Sequence, residues 1–556
     1  MQTSEPSREL SLAHARIAAL EAEQAALTTK LSAAVSERDT LRSAYTALKL
    51  ELELMKRRLF IAKAERVDVA QLELEFATKL AELDALSKRL EPIPEEFAPP
   101  QAPPKKTKKS TGRRDLREFD LPEESVEVLD DTLEGKVPRS GFEISYKLMW
   151  KRGGMVRVKT TRVKYRDEVE GEQTVVTKTY TAPMPPEMLP GSLTTPSLLA
   201  HLAIEKYLNG MPLHRIEMSW ARDGVTIDRG SMSRWLGDVG AMLNETLLAT
   251  AKAYALKTTF CIATDATGVL VQPLRGDLKK KQPCRRGHFF VELFDKQHAF
   301  FEYVPKETSA AVQDFFKGFT GHIQADAKSV YDVLFRPAAD GDEEDVCTEV
   351  GCWSHARRKY WEAAIAHCAV SREALARIQQ FFANEEKFKG LPAAAIAQLR
   401  NERTRPLVEA FFAWAKPEYE KVKHTRGPLR SALGYSIRQE KALSRFLDDG
   451  RLAIDNNASE RALRAIAVGR KAWLFVGSDD AARSASSFFS LIATCRLHNL
   501  EPEAYLRDLF RVLPQWPKDR YIELAPMFFK ATRARLDPKQ LEAEIGWLTV
   551  PPPIAD

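Results

Sequence analysis

Three carboxylates stand where carboxylates need an explanation. Asp265 interrupts the near-continuous apolar stretch FCIATDATGVLVQ (260–272), and an acidic side chain is rarely buried unless it is paired or bound to metal. Asp326 closes a second strand-like stretch, HIQADA, and Glu460 lies in DNNASERALR at the head of a predicted helix. Adjacent carboxylates repel one another unless a cation neutralises them. A hard divalent ion such as Mg²⁺ prefers few carboxylates together with water and substrate phosphate. A third carboxylate lets a site hold two such ions about 3.5–4 Å apart, one activating a nucleophile and one stabilising a leaving oxygen. Each residue also has a local explanation. Asp265 could be a hydrogen-bonded structural residue, and Asp326 an Asx turn at a strand end. Glu460 could close a capping box with Asn457 or pair with Arg464.

The surrounding elements decide between these explanations. Two strands, HFFVELFD (288–295) and AFFEYV (299–304), follow the first; then come a helix ETSAAVQDFFKGF, the strand HIQADA, a short helix SVYDVLF and a strand TEVGCW (348–353). Three strands, helix, strand, helix, strand is the order of the ribonuclease-H-like fold. There the middle of the first strand and the end of the fourth lie side by side, which would bring Asp265 and Asp326 together. Glu460 opens the first helix after a long helical tract, with an apolar strand predicted from GRKAWLFVG and the helix AARSASSFFSLIATCRL beyond. Three carboxylates at these places make a metal site the expectation.

CWSHARRKYWEA offers a competing chemistry. His355 and Arg358 have the HxxR spacing with which tyrosine recombinases hold a scissile phosphate, and Tyr505 and Tyr521 are available as nucleophiles. That alternative leaves the three carboxylates unexplained, and the strand-rich first half does not suit a largely helical domain. His355, Arg357 and Arg358 either clamp a phosphate near the metals or pack and solvate a helix. Asp455, Arg461 and Arg464 flank Glu460 and are candidates for the same supporting role.

The remaining chain supplies modules around this centre. Residues 10–62 carry heptads, with Leu10, Ile17, Leu31, Tyr45, Leu52 and Leu59 at a and Leu20, Leu27, Leu41, Leu48 and Met55 at d. Residues 1–90 are therefore expected to form a coiled coil that joins the chain into a homodimer or higher oligomer. A Pro/Lys-rich linker (91–120) carries Lys105, Lys106, Lys108, Lys109, Arg113 and Arg114, which suit a salt-sensitive DNA contact as well as a solvated tether. Residues 121–190 are expected to form a small β domain, because from about Phe142 to Tyr180 the chain alternates with period two, as a small antiparallel sheet does. Residues 191–252 read as three helices, the third presenting Arg229, Ser231, Ser233 and Arg234, a helix-turn-helix pattern. The catalytic halves are expected at 253–354 and 451–500, an all-helical insertion at 355–450 and a helical tail at 501–556. The fold class is thus multidomain α+β.

Composition sets the outer bounds. The chain has 556 residues, a formal net charge of +6 and 29% charged residues, ordinary for a soluble multidomain protein. Neither a membrane-length apolar run nor the apolar core of a signal peptide is present in the sequence, so a cytoplasmic protein without a membrane partner is expected. The six cysteines include no CxxC pair, against both a disulfide framework and a zinc ribbon.

The motifs RRLFIAKAERVDVAQLELEF, ATDAT, IQADA, CWSHARRKY, LDDGRLAIDNNASERALRAIAVGRKAWLFVGSDDAA and EAYLRDLF, spread over about residues 40–512, resemble transposases of the insertion-sequence-66 family. The resemblance implies that Asp265, Asp326 and Glu460 form a DDE triad holding two Mg²⁺ ions, with Mn²⁺ as a substitute. It implies hydrolysis at element ends in double-stranded DNA, then attack of the freed 3′-OH on target DNA, with small accessory proteins of the element as possible partners. Two departures stand out. The family's cysteine zinc finger before the helix-turn-helix has no cysteine here, so no zinc is expected, and Ala266 follows the first Asp where the family often has an acid.

Overall fold

The computed structural model describes Arg16, Gln24 and residues 115–553 apart from 152, 171–174, 274–283, 337–345 and 366–368. The predicted coiled coil, and Lys105, Lys106, Lys108, Lys109, Arg113 and Arg114, lie outside the described residues. The chain divides into two units, Met1–Gly112 and Arg113–Asp556. The second is a mixed α+β unit with two sheets.

The first sheet contains β1 (Glu123–Val128), β2 (Arg139–Lys151), β3 (Gly154–Glu170) and β4 (Val175–Thr181). It is mixed rather than antiparallel as expected. The long β3 pairs antiparallel with β2 along one edge; on the other, β1 runs parallel beside Arg157–Arg162 and β4 antiparallel beside Lys164–Glu170. The short acidic β1 has no strong alternation, which is why its pairing was not legible.

Three helices follow: α1 (Pro196–Ala203), α2 (Leu213–Arg222) and α3 (Arg229–Leu243). Gly224 takes a positive φ at the turn after α2, and Asp228 caps α3 by accepting from the Gly230 and Ser231 amides. The second half of α3 is seated on α11 (Asp479–Leu497), where a Cβ on Gly240 would meet the Ser484 backbone oxygen at 2.4 Å. Ser484 Oγ and Ser487 Oγ donate to the carbonyls of Gly237 and Gly240. The helical triplet therefore shares one apolar core with the five-stranded sheet that follows. A fourth helix, α4 (Ala249–Thr258), leads into that sheet.

The second sheet has β5 (Cys261–Val271), β6 (Arg285–Phe294), β7 (His298–Val304), β8 (His322–Gln324) and β9 (Thr348–Val350), in the order β7-β6-β5-β8-β9. The first three are antiparallel, while β8 runs parallel to β5 and β9 parallel to β8. Helix α5 (Ser309–Phe315) links β7 to β8, and a 3₁₀ turn (Ser329–Leu334) follows β8. After β9, helices α6 (Trp353–Ile365), α7 (Ala369–Phe388), α8 (Arg405–Val422) and α9 (Pro428–Arg438) build a second core around Trp353, Phe381 and Phe411. This is the helical tract expected between residues 355 and 450. The chain returns with α10 (Asn457–Trp473), α11 and α12 (Pro502–Val512).

Two local expectations fail around Glu460. Asn457 does not form a capping box; the N-cap is Asn456, whose side chain makes no capping bond, and the Asn457 amide donates to Asp455 Oδ1 instead. GRKAWLFVG is not a strand, because α10 continues to Trp473 and only Val476 bridges to Val271. Gly469 lies inside the helix where it passes Gly210: a Cβ on Gly210 would come within 3.3 Å of Gly469 Cα. A Cβ on Gly469 itself would meet Trp473 Nε1 at 2.7 Å.

Candidate active site

Asp265 and Asp326 stand at equivalent places where two parallel strands part. The last pair joining β5 to β8 is Ala263 with Gln324, so each aspartate stands two residues beyond it. Past that point the edge of β5 is open until Val476 closes it, the Val476 amide donating to Leu270 O (2.8 Å) and its carbonyl accepting from the Gln272 amide (2.9 Å). Unpaired backbone groups on a central strand must find other partners. Asn456 Nδ2 donates to Thr264 O at 2.7 Å, the Ala266 amide donates to Asp265 Oδ1 at 2.7 Å, and Arg470 Nη1 donates to Gly268 O and to Thr267 Oγ1. The open edge is thus satisfied by side chains of α10 and its N-cap, and that stitching lays α10 across β5 with Glu460 near the two aspartates.

The segment before α10 is fastened equally closely. Gln324 Nε2 donates to Ala453 O at 2.8 Å, the Trp353 amide to Ile454 O at 3.1 Å, and the Asn456 amide to Cys352 Sγ at 3.2 Å. Asp455 Oδ2 accepts from Ser354 Oγ and from Asn457 Nδ2. Asp455 therefore joins the start of α6 to the start of α10, positioning His355 and Glu460 relative to one another.

His355 occupies the centre. Its Nε2 lies 3.8 Å from Asp326 Oδ2 and 3.8 Å from Glu460 Oε1, beyond hydrogen-bond length but within electrostatic reach, and its Nδ1 is buried without a hydrogen-bond partner among the described residues. Burial raises the Asp265 carboxyl above the usual range. Its bond from Ala266 and the charges of Lys328 and His355 oppose that rise, and Glu460 adds to it. Glu460 makes no ion pair with Arg464; its ion-pair partner among the described residues is His355.

The donor set, three carboxylates with His355 beside two of them, fits a hard divalent ion in type. Among the described residues, no three His, Cys, Asp or Glu side chains are drawn together tightly enough to hold an ion as they stand. Three like charges repel, and an imidazole lies between two of them.

The other predicted residues divide. Arg358 is exposed on α6 beyond His355, and Arg464 is exposed one turn beyond Glu460 on the same side of α10. Arg357 turns away, its guanidinium 5.8 Å from the Phe382 ring centroid. Arg461 also points elsewhere, into a cavity of about 290 Å³ lined by Ala458, Ala462, Phe489 and Ile492. Arg229, Ser233 and Arg234 are exposed at the free end of α3, whereas Ser231 Oγ is engaged with Asp228 and Arg234. Sequence reasoning missed Asn456, Arg470 and Lys328. The first two act through backbone groups far away in the chain, and Lys328 lies 3.5 Å from Glu307.

Comparison with known proteins places the chain in a family. Residues 191–484, which contain all three carboxylates, match the model of the Transposase IS66 family; residues 490–527 match the IS66 C-terminal element, and residues 47–126 match Transposase C of IS166 homeodomain. The uncharacterized protein y4qI of Sinorhizobium fredii is 28% identical over 355 residues, covering 62% of this chain and 65% of its own. The uncharacterized protein y4hP of the same organism is 25% identical over 374 residues, covering 63% and 65%. The chain spans just under two thirds of the length of these relatives. With the family model covering more than half of its residues, the chain belongs to the IS66 transposase family.

Proposed function

We propose that the protein is a DDE transposase with a ribonuclease-H-like catalytic domain, which binds the terminal inverted repeats of an insertion element, hydrolyses DNA at its ends and joins the freed 3′-OH to target DNA. The observation that carries this reading is the convergence of Asp265, Asp326 and Glu460 at the open edge of β5, around His355. Asp265, Asp326 and Glu460 would hold two Mg²⁺ ions, with Mn²⁺ able to substitute. When bound, the ions would supply an activated nucleophile and a stabilised leaving oxygen.

The chain's own residues do the rest. Asn456 and Arg470 hold β5 and α10 in register, so that the carboxylates from strand, loop and helix face one space. Asp455 and Ser354 fix His355 beside Asp326 and Glu460, where the imidazole orients carboxylates or meets the phosphate. Arg358 and Arg464 lie where a DNA backbone would pass, and Arg229, Ser233 and Arg234 form a second exposed basic edge for duplex DNA. The lysine-rich segment 105–114 would add non-specific affinity, and residues 1–90 would dimerise the chain. Zinc has no part in this reading.

The test incubates the full chain with element-end DNA and Mg²⁺ or Mn²⁺, beside Asp265→Asn and Glu460→Gln. Metal-dependent nicking and joined products in the wild type, both lost in the variants, are expected. Binding without nicking would instead make the protein a catalytically silent DNA-binding relative. Nicking without joined products would make it a nuclease.

A further inference from the structure

At the end of α10 the chain does something costly. Leu474 adopts φ 63° and ψ −45°, and the Phe475 amide donates to Trp473 O at 2.7 Å. That is the γ-turn with positive φ, a rare and strained conformation for any residue with a Cβ. Glycine or asparagine would take positive φ more readily, and neither would present an apolar side chain. Here Leu474 is 62% exposed and Phe475 40% exposed. Both neighbours are anchored: Trp473 packs against the main core, and Val476 is hydrogen-bonded to Leu270 and Gln272 on β5. The fold therefore holds two large apolar side chains outward between fixed points.

The approach to this turn is basic. From Glu460, Arg464 and Lys471 follow at four and eleven residues, within about 40° of one another on the helix face. Both are exposed. Leu474 comes fourteen residues on, about 21 Å along the axis. On the other side of the turn, Arg286 faces Leu270 across the β5–β6 pairing, and Leu270 is itself exposed. An acidic candidate centre, a line of cations and an apolar wedge thus lie in sequence along one helix. The spacing equals about six base pairs of B-form duplex.

We propose that the Leu474–Phe475 turn is a wedge that inserts into the base stack of bound DNA about six base pairs from the position of cleavage, while Arg464 and Lys471 follow the intervening phosphates. Cationic approach favours a polyanion over an apolar protein surface, and side chains of this kind unstack base steps where they enter duplex DNA. The inference rests on the functional reading above in taking Glu460 to mark the cleavage position.

The full chain is bound, in EDTA, to duplexes of the element end carrying 2-aminopurine at successive positions; cleavage is mapped on the same duplexes with Mn²⁺. A fluorescence rise confined to about six base pairs from the cut is expected. It is lost in the Leu474→Gly and Phe475→Ala variants, with affinity reduced by about tenfold or less. Leu474→Gly keeps the fold, since glycine takes this φ freely, and its melting temperature is expected to be equal or higher. A rise that persists in the double variant, or cleavage with no rise anywhere, overturns the wedge. A change in oligomer mass in the variants with no change in fluorescence also overturns it, and assigns the patch to contact between copies of this chain. A rise with no cleavage would leave the wedge standing and overturn the catalytic reading instead.

Discussion

Two acidic clusters share the central sheet, and the chain treats them in opposite ways. Glu292 on β6 is fully buried, and α4 brings Lys252 to it, with Nζ 2.9 Å from Glu292 Oε2 and 2.9 Å from Glu302 Oε1. Burial pushes the Glu292 carboxyl up, Lys252 pulls against that, and Glu302 adds repulsion. Other carboxylates largely removed from solvent receive the same answer: the half-buried Glu385 pairs with Arg400 at 2.6 Å, and the buried Asp508 with Arg507 at 2.5 Å and Arg533 at 2.7 Å. One strand away, Asp265, Asp326 and Glu460 receive no lysine or arginine within 4 Å among the described residues, and only Asp326 and Glu460 have His355 within that distance. Lys328, whose charge reaches Asp265, is engaged by Glu307. Buried acids such as Glu292 and Asp508 are neutralised by the fold's own side chains, and the absence of such a partner at Asp265, Asp326 and Glu460 among the described residues is what the proposed cation site requires.

The comparison breaks most visibly in activity. Asp265→Asn and Glu460→Gln are expected to lower metal-dependent nicking by roughly 10³-fold or more, measured on labelled element-end duplex, with DNA affinity nearly unchanged. Glu292→Gln should leave nicking nearly intact. Equal losses in all three would erase the distinction between the clusters.

Stability should respond in the reverse sense. Lys252→Met strands Glu292 in the core beside the half-buried Glu302 and is expected to cost about 3–5 kcal/mol in denaturant unfolding. Adding Glu292→Gln should recover most of that. An unchanged midpoint for Lys252→Met would mean that the lysine is not what makes this cluster structural.

A smaller effect is expected at the open edge. Asn456→Ala leaves the Thr264 carbonyl without its donor and should cost about 1–3 kcal/mol. It should also lower nicking while DNA binding holds, because Glu460 loses its register to β5. Loss of stability with unchanged nicking would show that the stitch does not position the site.

The smallest concerns pH. The Asp265 carboxyl is raised in the folded chain, so between its unfolded and folded values the folded state binds more protons and stability falls as pH rises. In metal-free buffer Asp265→Asn should therefore unfold later than wild type above that window, and the gap should close below the ordinary Asp range. A gap that stays constant with pH would contradict the burial of this carboxylate.

The sequence made some of this legible for definable reasons. An Asp in an eleven-residue apolar strand advertises itself, and the strand–helix order brought Asp326 beside it. Glu460 was found through its long flanking motif rather than through periodicity. What failed was local reading of nonlocal facts. The capping box at Asn457 lost to Asp455 and Asn456, whose partners are about a hundred residues or more away, on α6 and β5. The predicted strand in GRKAWLFVG lost because α10 must cross the whole width of the site to bring Arg470 to Gly268 O. The γ-turn at Leu474 carries no sequence signal, since no turn-forming residue occupies it.

Counting bound Mn²⁺ by electron paramagnetic resonance on the full chain tests the central claim most directly. Binding in the wild type and in Glu292→Gln, and its loss in Asp265→Asn and Glu460→Gln, is the predicted result. Mn²⁺ binding that survives both Asp265→Asn and Glu460→Gln would contradict the assignment of these carboxylates as the cation site.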